Sequence, residues 1–178
     1  FRSLQFIVSK AEDIHLPNNS FDIVVCTNAL MWVRDPRKAL QIMMRALKKA
    51  GSLLIFTYPK TTPYALIFEK VANSFFPDLH EKCAAKTMLH PNELQDILLT
   101  ENLSLERFQL NDLVFHYASY EDFRNYVKGW LACYIPLDDE QQEVFLNRVC
   151  EQIELEGYCS KAGEVAIPHQ TLEVLAQK

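Results

Sequence analysis

Two contiguous apolar runs with one amphipathic helix between them constrain this chain more than any other feature. Phe21 to Cys26 and Ser52 to Tyr58 carry Ile23-Val24-Val25 and Leu53-Leu54-Ile55 without polar alternation. Runs of this length suit strands covered on both faces, as in a parallel sheet. Between them, Asp35 is placed to N-cap a helix, and Pro36 suits the first helical position because its missing N–H needs no partner there. Leu40, Met43, Met44 and Leu47 recur at helical spacing, and Gly51 reads as the stop. The stretch is therefore a βαβ unit, whose crossover is right-handed almost without exception.

At 178 residues, 49% of them apolar, the chain fits one globular α/β domain with a sizeable core. The net charge of −5, with no basic cluster, argues against nucleic acid as a partner. No apolar run is long enough for a membrane helix, and no signal peptide is recognisable. Cys26, Cys83, Cys133, Cys150 and Cys159 are odd in number and lack a paired spacing. They read as free thiols in a reducing, cytoplasmic compartment rather than a disulfide or zinc framework. His15, His80, His90, His116 and His169 are scattered without metal-ligand spacing, so no metal is expected.

The flanks extend the pattern. Leu4 to Val8 reads as a short strand, followed by a loop from Lys10 to Asn19. Thr62 and Pro63 begin a second helix with Leu66, Ile67, Val71 and Phe75 inward, and Pro77 stops it. Asp78 to Leu89 has no period and reads as a mobile loop. His90-Pro91-Asn92-Glu93 opens a helix that buries Leu94, Ile97 and Leu98. Ser104 to Tyr117 is extended, with a possible bend at Asn111-Asp112. Ser119 and Asp122 then form a variant capping box. Phe123, Tyr126, Val127, Trp130 and Leu131 fall on one helical face. Asp138 and Asp139 start another helix with Leu146, Val149, Cys150 and Ile153 as its stripe, ended by Gly157. Gly163 to Ala176 is the last strand. The helix pair, residues 119–157, thus interrupts a β-hairpin and divides the chain into a core, 1–118 with 158–178, and a helical insertion.

The order of these residues resembles the second half of a class I S-adenosylmethionine-dependent methyltransferase. The resemblance rests on Ala11-Glu12-Asp13, Leu16-Pro17, Asn19-Ser20-Phe21-Asp22, Ala29-Leu30-Met31-Trp32-Val33 and Leu47-Lys48-Lys49-Ala50-Gly51. Phe115-His116-Tyr117 and Tyr126-Val127-Lys128-Gly129-Trp130 resemble the trans-aconitate, juvenile hormone acid and malonyl-carrier-protein carboxyl methyltransferases. The implied fold is a partial doubly wound, Rossmann-like sheet, mostly parallel with an antiparallel last strand, and a helical lid. The implied function is O-methylation of a small-molecule carboxylic acid with S-adenosyl-L-methionine. Alternatives are a phenol, amine or ring-carbon acceptor, or a methyltransferase-like binding domain without catalysis.

Such folds place a glycine-rich turn after their first strand and bind ligands beyond the carboxyl ends of the strands. Neither the turn nor the acidic ribose residue is present among these residues. This implies either the C-terminal part of a longer protein or a relative that has lost cofactor binding. The resemblance puts Lys10 and Ala11 beside adenine, although an ammonium cannot accept from its amino group; Glu12 or Asp13 could substitute. It puts Thr27 and Asn28 on the methionine and ribose side. Trp32, His116, Tyr126 and Trp130 become candidates for the acceptor. No catalytic residue is expected, because a carboxylate is already ionised at neutral pH and positioning alone can contribute ~7–11 kcal/mol. No hydrolase triad or phosphate-binding loop competes with this reading.

Overall fold

The computed structural model describes residues 4–178. The predicted unit is present as β1 (Phe21–Thr27), α1 (Pro36–Ala46) and β2 (Leu47–Thr57), with β1 and β2 parallel. The Asp35 carboxylate accepts from the Lys38 N–H at 2.9 Å, so the cap forms as the sequence indicates. Gly51 is not the helix stop. The helix ends at Ala46, and β2 begins at once with an irregular stretch in which Phe21 faces Leu47 and Ile23 faces Ser52. Ala50 has φ 64° there. Gly51 instead lies where backbone crowds it: an added Cβ would sit 3.0 Å from Lys48 O and 3.1 Å from Phe21 O.

Four strands form the sheet in the order β1-β2-β4-β3, with β3 at Ser104–Tyr117 and β4 at Val165–Gln177. β4 runs antiparallel to both neighbours, so β1, β2 and β3 point one way and only the last strand is reversed. This is the expected mostly parallel sheet with an antiparallel last strand. Leu4 to Val8 is not a strand. Leu4, Phe6, Ile7 and Val8 are exposed and form no ladder, and an isolated extended segment has nothing to satisfy its backbone. The same open edge corrects the reading of β1 as covered on both faces: Ile23 and Val25 are more than half exposed.

Helices cover both faces of the sheet. α1 and α4 (Pro91–Thr100) bury Leu40, Met44, Leu94, Ile97 and Leu98 against Leu53, Ile55, Leu172, Val174 and Ala176. The other layer is α2 (Pro63–Phe75), α5 (Tyr120–Tyr134) and α6 (Asp139–Leu155), which pack around Phe68, Val127, Leu131, Phe145 and Leu146 against Val165 and Ile167. Strand side chains alternate. Val165, Ile167, His169 and Thr171 are buried on one face, and Leu172, Val174 and Ala176 on the other. β4 therefore changes its buried face near Thr171 and serves both cores.

The helical insertion packs into the α2 layer through its predicted stripes, and Phe145 joins the stripe of α6. Ser119 Oγ accepts from the Asp122 N–H at 3.1 Å, so the N-cap forms, but the reciprocal half of the variant capping box does not: the shorter Asp122 carboxylate accepts from the Ser119 hydroxyl at 3.1 Å instead of from its backbone N–H. In α2, Leu66 and Phe75 point outward while Phe68 is buried, because Ala65, Phe68 and Ala72 complete the inward stripe. Arg148 lies over the exposed Phe75 ring at 4.6 Å. Pro77 opens a short helix, α3 (Pro77–His80), instead of only ending α2. Residues 78–89 also hold a 3-10 turn at Ala84–Lys86, anchored by the buried Cys83, Ala85 and Met88. In β3 the irregularity falls between Leu105 and Arg107, not at Asn111-Asp112.

Two glycines separate crowding from helix propensity. Gly51→Ala meets backbone oxygens that cannot move aside and is expected to cost about 1–3 kcal/mol. Gly129→Ala lies on the exposed side of α5 with nothing near its Cβ, and should gain about 0.5–1 kcal/mol. Urea denaturation of both variants checks the pair; equal effects would contradict the crowding at Gly51.

Candidate active site

Beyond the carboxyl ends of β1 and β2 lies a cavity of about 200 Å³, lined by Asn28, Met31, Trp32, Tyr58, Tyr64, Tyr126, Trp130 and His169. That is the room of about seven water molecules at ~30 Å³ each. Each wall has a local cause. Asn28 ends β1 in a left-handed conformation, φ 49°, with its N–H held 2.9 Å from Phe56 O. The 3-10 turn Leu30–Trp32 follows and buries Leu30 and Met31, leaving Trp32 at the rim. Tyr58 continues from β2, Tyr64 stands in the first turn of α2, and Tyr126 and Trp130 rise one helical turn apart on α5. Phe123, Val127 and Leu131 of the same helix are fully packed, so the α5 stripe divides into a core edge and a pocket edge.

The rings form one continuous cluster. Trp130 stacks on Phe68 at 5.3 Å and lies 5.9 Å from Trp32 and 6.3 Å from Tyr126. Tyr64 meets Tyr58 edge-on at 5.9 Å and stacks on His169 at 4.4 Å. Phe115 covers the other face of that imidazole at 4.0 Å. His169 is 5% exposed, and its Nδ1 lies 3.0 Å from Ile167 O. Burial holds the imidazole pKa below its usual range, with the Ile167 carbonyl opposing in the smaller sense.

Burial also pushes the phenols of Tyr58, Tyr64 and Tyr126 above their ordinary pKa, and for Tyr58 and Tyr64 neighbouring phenols push further in the same direction. All three therefore remain O–H groups at neutral pH. The indoles add N–H donors and Asn28 adds an amide. Among the described residues, no carboxylate, ammonium or guanidinium lines this cavity.

The structure gathers four sequence-stated candidates here: Asn28, Trp32, Tyr126 and Trp130. Thr27 is exposed at the end of β1, next to the cavity's Asn28. Lys10 is exposed and Ala11 half-buried in a turn closed by the Asp13 N–H on Lys10 O, and neither lines the cavity. Asp13, offered above as a substitute adenine contact, is 3.0 Å from Lys38 Nζ, and that hydrogen bond and charge hold its carboxyl below the usual range. His116 stands apart. Alternation along β3 turns Phe115 towards His169 and leaves the exposed His116 in a separate cavity with Tyr158, Cys159 and Glu164. Sequence reasoning missed Tyr58, Tyr64 and His169. The signal for His169 was its inward register with Val165 and Ile167 in an otherwise apolar alternation.

A ligand cavity at the strand carboxyl ends of a sheet layered by helices on both faces defines a doubly wound α/β binding fold. Comparison with known proteins narrows the class. Residues 1–55 match the family model described as a methyltransferase domain. A malonyl-[acyl-carrier protein] O-methyltransferase of Paenibacillus sp. is 25% identical over 158 residues, 86% of this chain and 56% of that protein. A ubiquinone/menaquinone biosynthesis C-methyltransferase UbiE of Coxiella burnetii is 35% identical over 81 residues, 44% of this chain and 32% of that protein. The crystal structure of a protein described as a candidate methyltransferase of Bacillus halodurans superposes with a TM-score of 0.67 at 15% identity, over 98% of this chain and 78% of that one. The methyltransferase-domain match is confined to residues 1–55, the chain is similar in sequence to these methyltransferases and in fold to the Bacillus halodurans structure, and it spans between about a third and just over half of the two curated relatives it matches. No helix among the described residues is long and apolar enough to cross a membrane.

His169 gives this site a pH signature in stability. Its folded-state pKa is lowered, so the folded protein resists a proton that the unfolded chain accepts. Stability is fully present above the unfolded value near 6.5 and is lost as pH falls from there through the folded pKa. Melting curves of wild type and His169→Phe across pH 4 to 8 check this; the difference between them should widen only below about pH 6.5.

Proposed function

We propose that the intact protein transfers a methyl group from S-adenosylmethionine to an oxygen of a small carboxylic acid held in the aromatic cavity. One observation supports the acceptor most: the cavity offers neutral hydrogen-bond donors and, among the described residues, no side-chain charge. Tyr58, Tyr64 and Tyr126 O–H groups, with the indole N–H groups of Trp32 and Trp130, suit a carboxylate. An anion there meets donors and no opposing carboxylate.

The residues present fit one end of the cofactor. A sulfonium is a cation, and cations are attracted to aromatic faces, which Trp32, Tyr58 and Tyr126 supply beside Asn28. Asn28 and Thr27 would hold the methionine and ribose side, and the Ala11 backbone the adenine. When bound, the cofactor supplies an electrophilic methyl group. The chain's own part is to orient the acceptor and exclude water. The α5 rings wall the cavity from outside, and the stacked Phe68–Trp130 pair fixes that wall. An ionised acid needs no base, and oriented approach can account for ~7–11 kcal/mol of barrier. The relatives, a malonyl-[acyl-carrier protein] O-methyltransferase and a ubiquinone/menaquinone biosynthesis C-methyltransferase, support methyl transfer in common and differ in acceptor.

Radiolabelled methyl transfer from S-adenosylmethionine to a panel of small acids, with base-labile product counted as ester, tests the reading. Label appearing only in base-stable products would overturn the carboxylate acceptor. In the intact protein, Trp32→Ala should lower kcat/KM at least about tenfold, or ~1.4 kcal/mol, and by more than it lowers cofactor affinity. Tyr126→Phe keeps the half-exposed ring and removes one donor. It should raise KM by about fivefold to tenfold, within the ~0.5–1.5 kcal/mol of one hydrogen bond, and leave the melting temperature in place. An unchanged KM would remove Tyr126 from the acceptor's contacts.

A further inference from the structure

His169 is the one acceptor-type nitrogen in a cavity of donors, and the fold fixes which nitrogen that is. A carbonyl oxygen only accepts, so the 3.0 Å contact between Nδ1 and Ile167 O puts the proton on Nδ1. In the neutral imidazole, Nε2 then carries the lone pair. No protein group among the described residues bonds to it, and it is not among the buried polar atoms sealed without a partner. Phe115 and Tyr64 clamp the two ring faces at 4.0 and 4.4 Å, so the ring cannot turn to seek another partner. The titratable groups facing it are Tyr64 from α2 and Tyr58 after β2; β3 contributes Phe115, and no charged side chain lines the cavity. A rigidly held acceptor that opens on the cavity and lacks a protein partner is met by ligand or water, and a site built this way disfavours a ligand without the matching donor.

We propose that His169 Nε2 accepts a hydrogen bond from an O–H or N–H on the methyl acceptor, so that the acid methylated carries a donor besides its carboxylate, as a hydroxy acid does. The inference deepens the carboxylate reading and rests on it for the word acid alone. Discrimination then has two parts: the tyrosine and indole donors select the carboxylate, and His169 selects the hydroxyl. His169 acts here as a specificity residue; no proton needs to leave the acceptor for methyl transfer.

Calorimetry on the intact protein saturated with S-adenosylhomocysteine tests it. The probes are benzoate against its three monohydroxy isomers, and phenol against anisole. The best hydroxybenzoate should bind at least about tenfold tighter than benzoate, equivalent to ~1.4 kcal/mol. His169→Phe, which keeps an aromatic ring between Phe115 and Tyr64, should bring the two within about threefold, with the hydroxybenzoate losing more affinity than benzoate. His169→Gln, which retains an acceptor oxygen, should restore part of the preference. In the wild type the preference should vanish as acid pH protonates the ring, because Nε2 then donates; this arm holds even where a variant fails to fold. Absence of hydroxyl preference in both probe pairs, or a preference that survives His169→Phe, overturns the proposal. A phenol preference without any advantage of the acids over the neutral probes would uphold His169 and overturn the carboxylate reading alone.

Discussion

A strand between two helical layers can bury a side chain on either face but never the same side chain on both, and β4 has to serve two cores. It does so by exchanging its buried face at Thr171 and Leu172. Before that point its inward residues meet α2, α5 and α6; after it they meet α1 and α4. The exchange puts His169 near the end of the first register, where β4 passes the carboxyl end of β2. The cavity therefore lies where one core gives way to the other. Its floor is set by strand geometry and its roof by α5.

The surrounding polar contacts support this arrangement. Thr62, fully buried at the start of α2, does not cap its own helix; its Oγ1 accepts from the Gln170 N–H at 2.8 Å. That bond ties the helix bearing Tyr64 to the strand bearing His169, next to the stacked pair itself. At the other end of β4, Lys178 Nζ donates to Met44 O and Leu47 O, both at 2.9 Å, and so satisfies carbonyls at the end of α1. The strand is thus fastened to one layer at its middle and to the other at its carboxyl end. An aromatic cluster of this kind is held by dispersion and ring geometry, each pair worth about 0.5–1.5 kcal/mol, so it is the fastening that makes it specific.

Much of this was legible in the sequence because it was periodic. The βαβ unit, both insertion helices, their caps and the reversed last strand follow from apolar spacing and from Asp35, Ser119 and Asp138. Asn28, Trp32, Tyr126 and Trp130 follow from placing a resembling order of residues on such a sheet. What stayed hidden has a common cause: it depends on partners distant in sequence. Leu4 to Val8 has strand-like composition but no neighbour to pair with. Leu66 and Phe75 looked inward, yet the small Ala65 and Ala72 let α2 approach along the Phe68 side. Leu47 to Gly51 looked helical because propensity does not register a ladder with β1. His169 read as one scattered histidine until β3 supplied Phe115 and α2 supplied Tyr64.

The middle position of β4 also has a consequence for biosynthesis. A ribosome delivers β1, β2, β3 and both insertion helices before the strand that separates β2 from β3. Until β4 emerges, β2 and β3 both lack their only shared partner, and the two apolar layers have no common floor. The nascent chain can form its helices locally, but its sheet closes through contacts of long sequence separation, which are slow to form. The aromatic cavity is then completed in a late step, by insertion of the strand that carries His169. A cell making this protein would hold an exposed half-sheet until that insertion, and would gain the binding site and the finished core together.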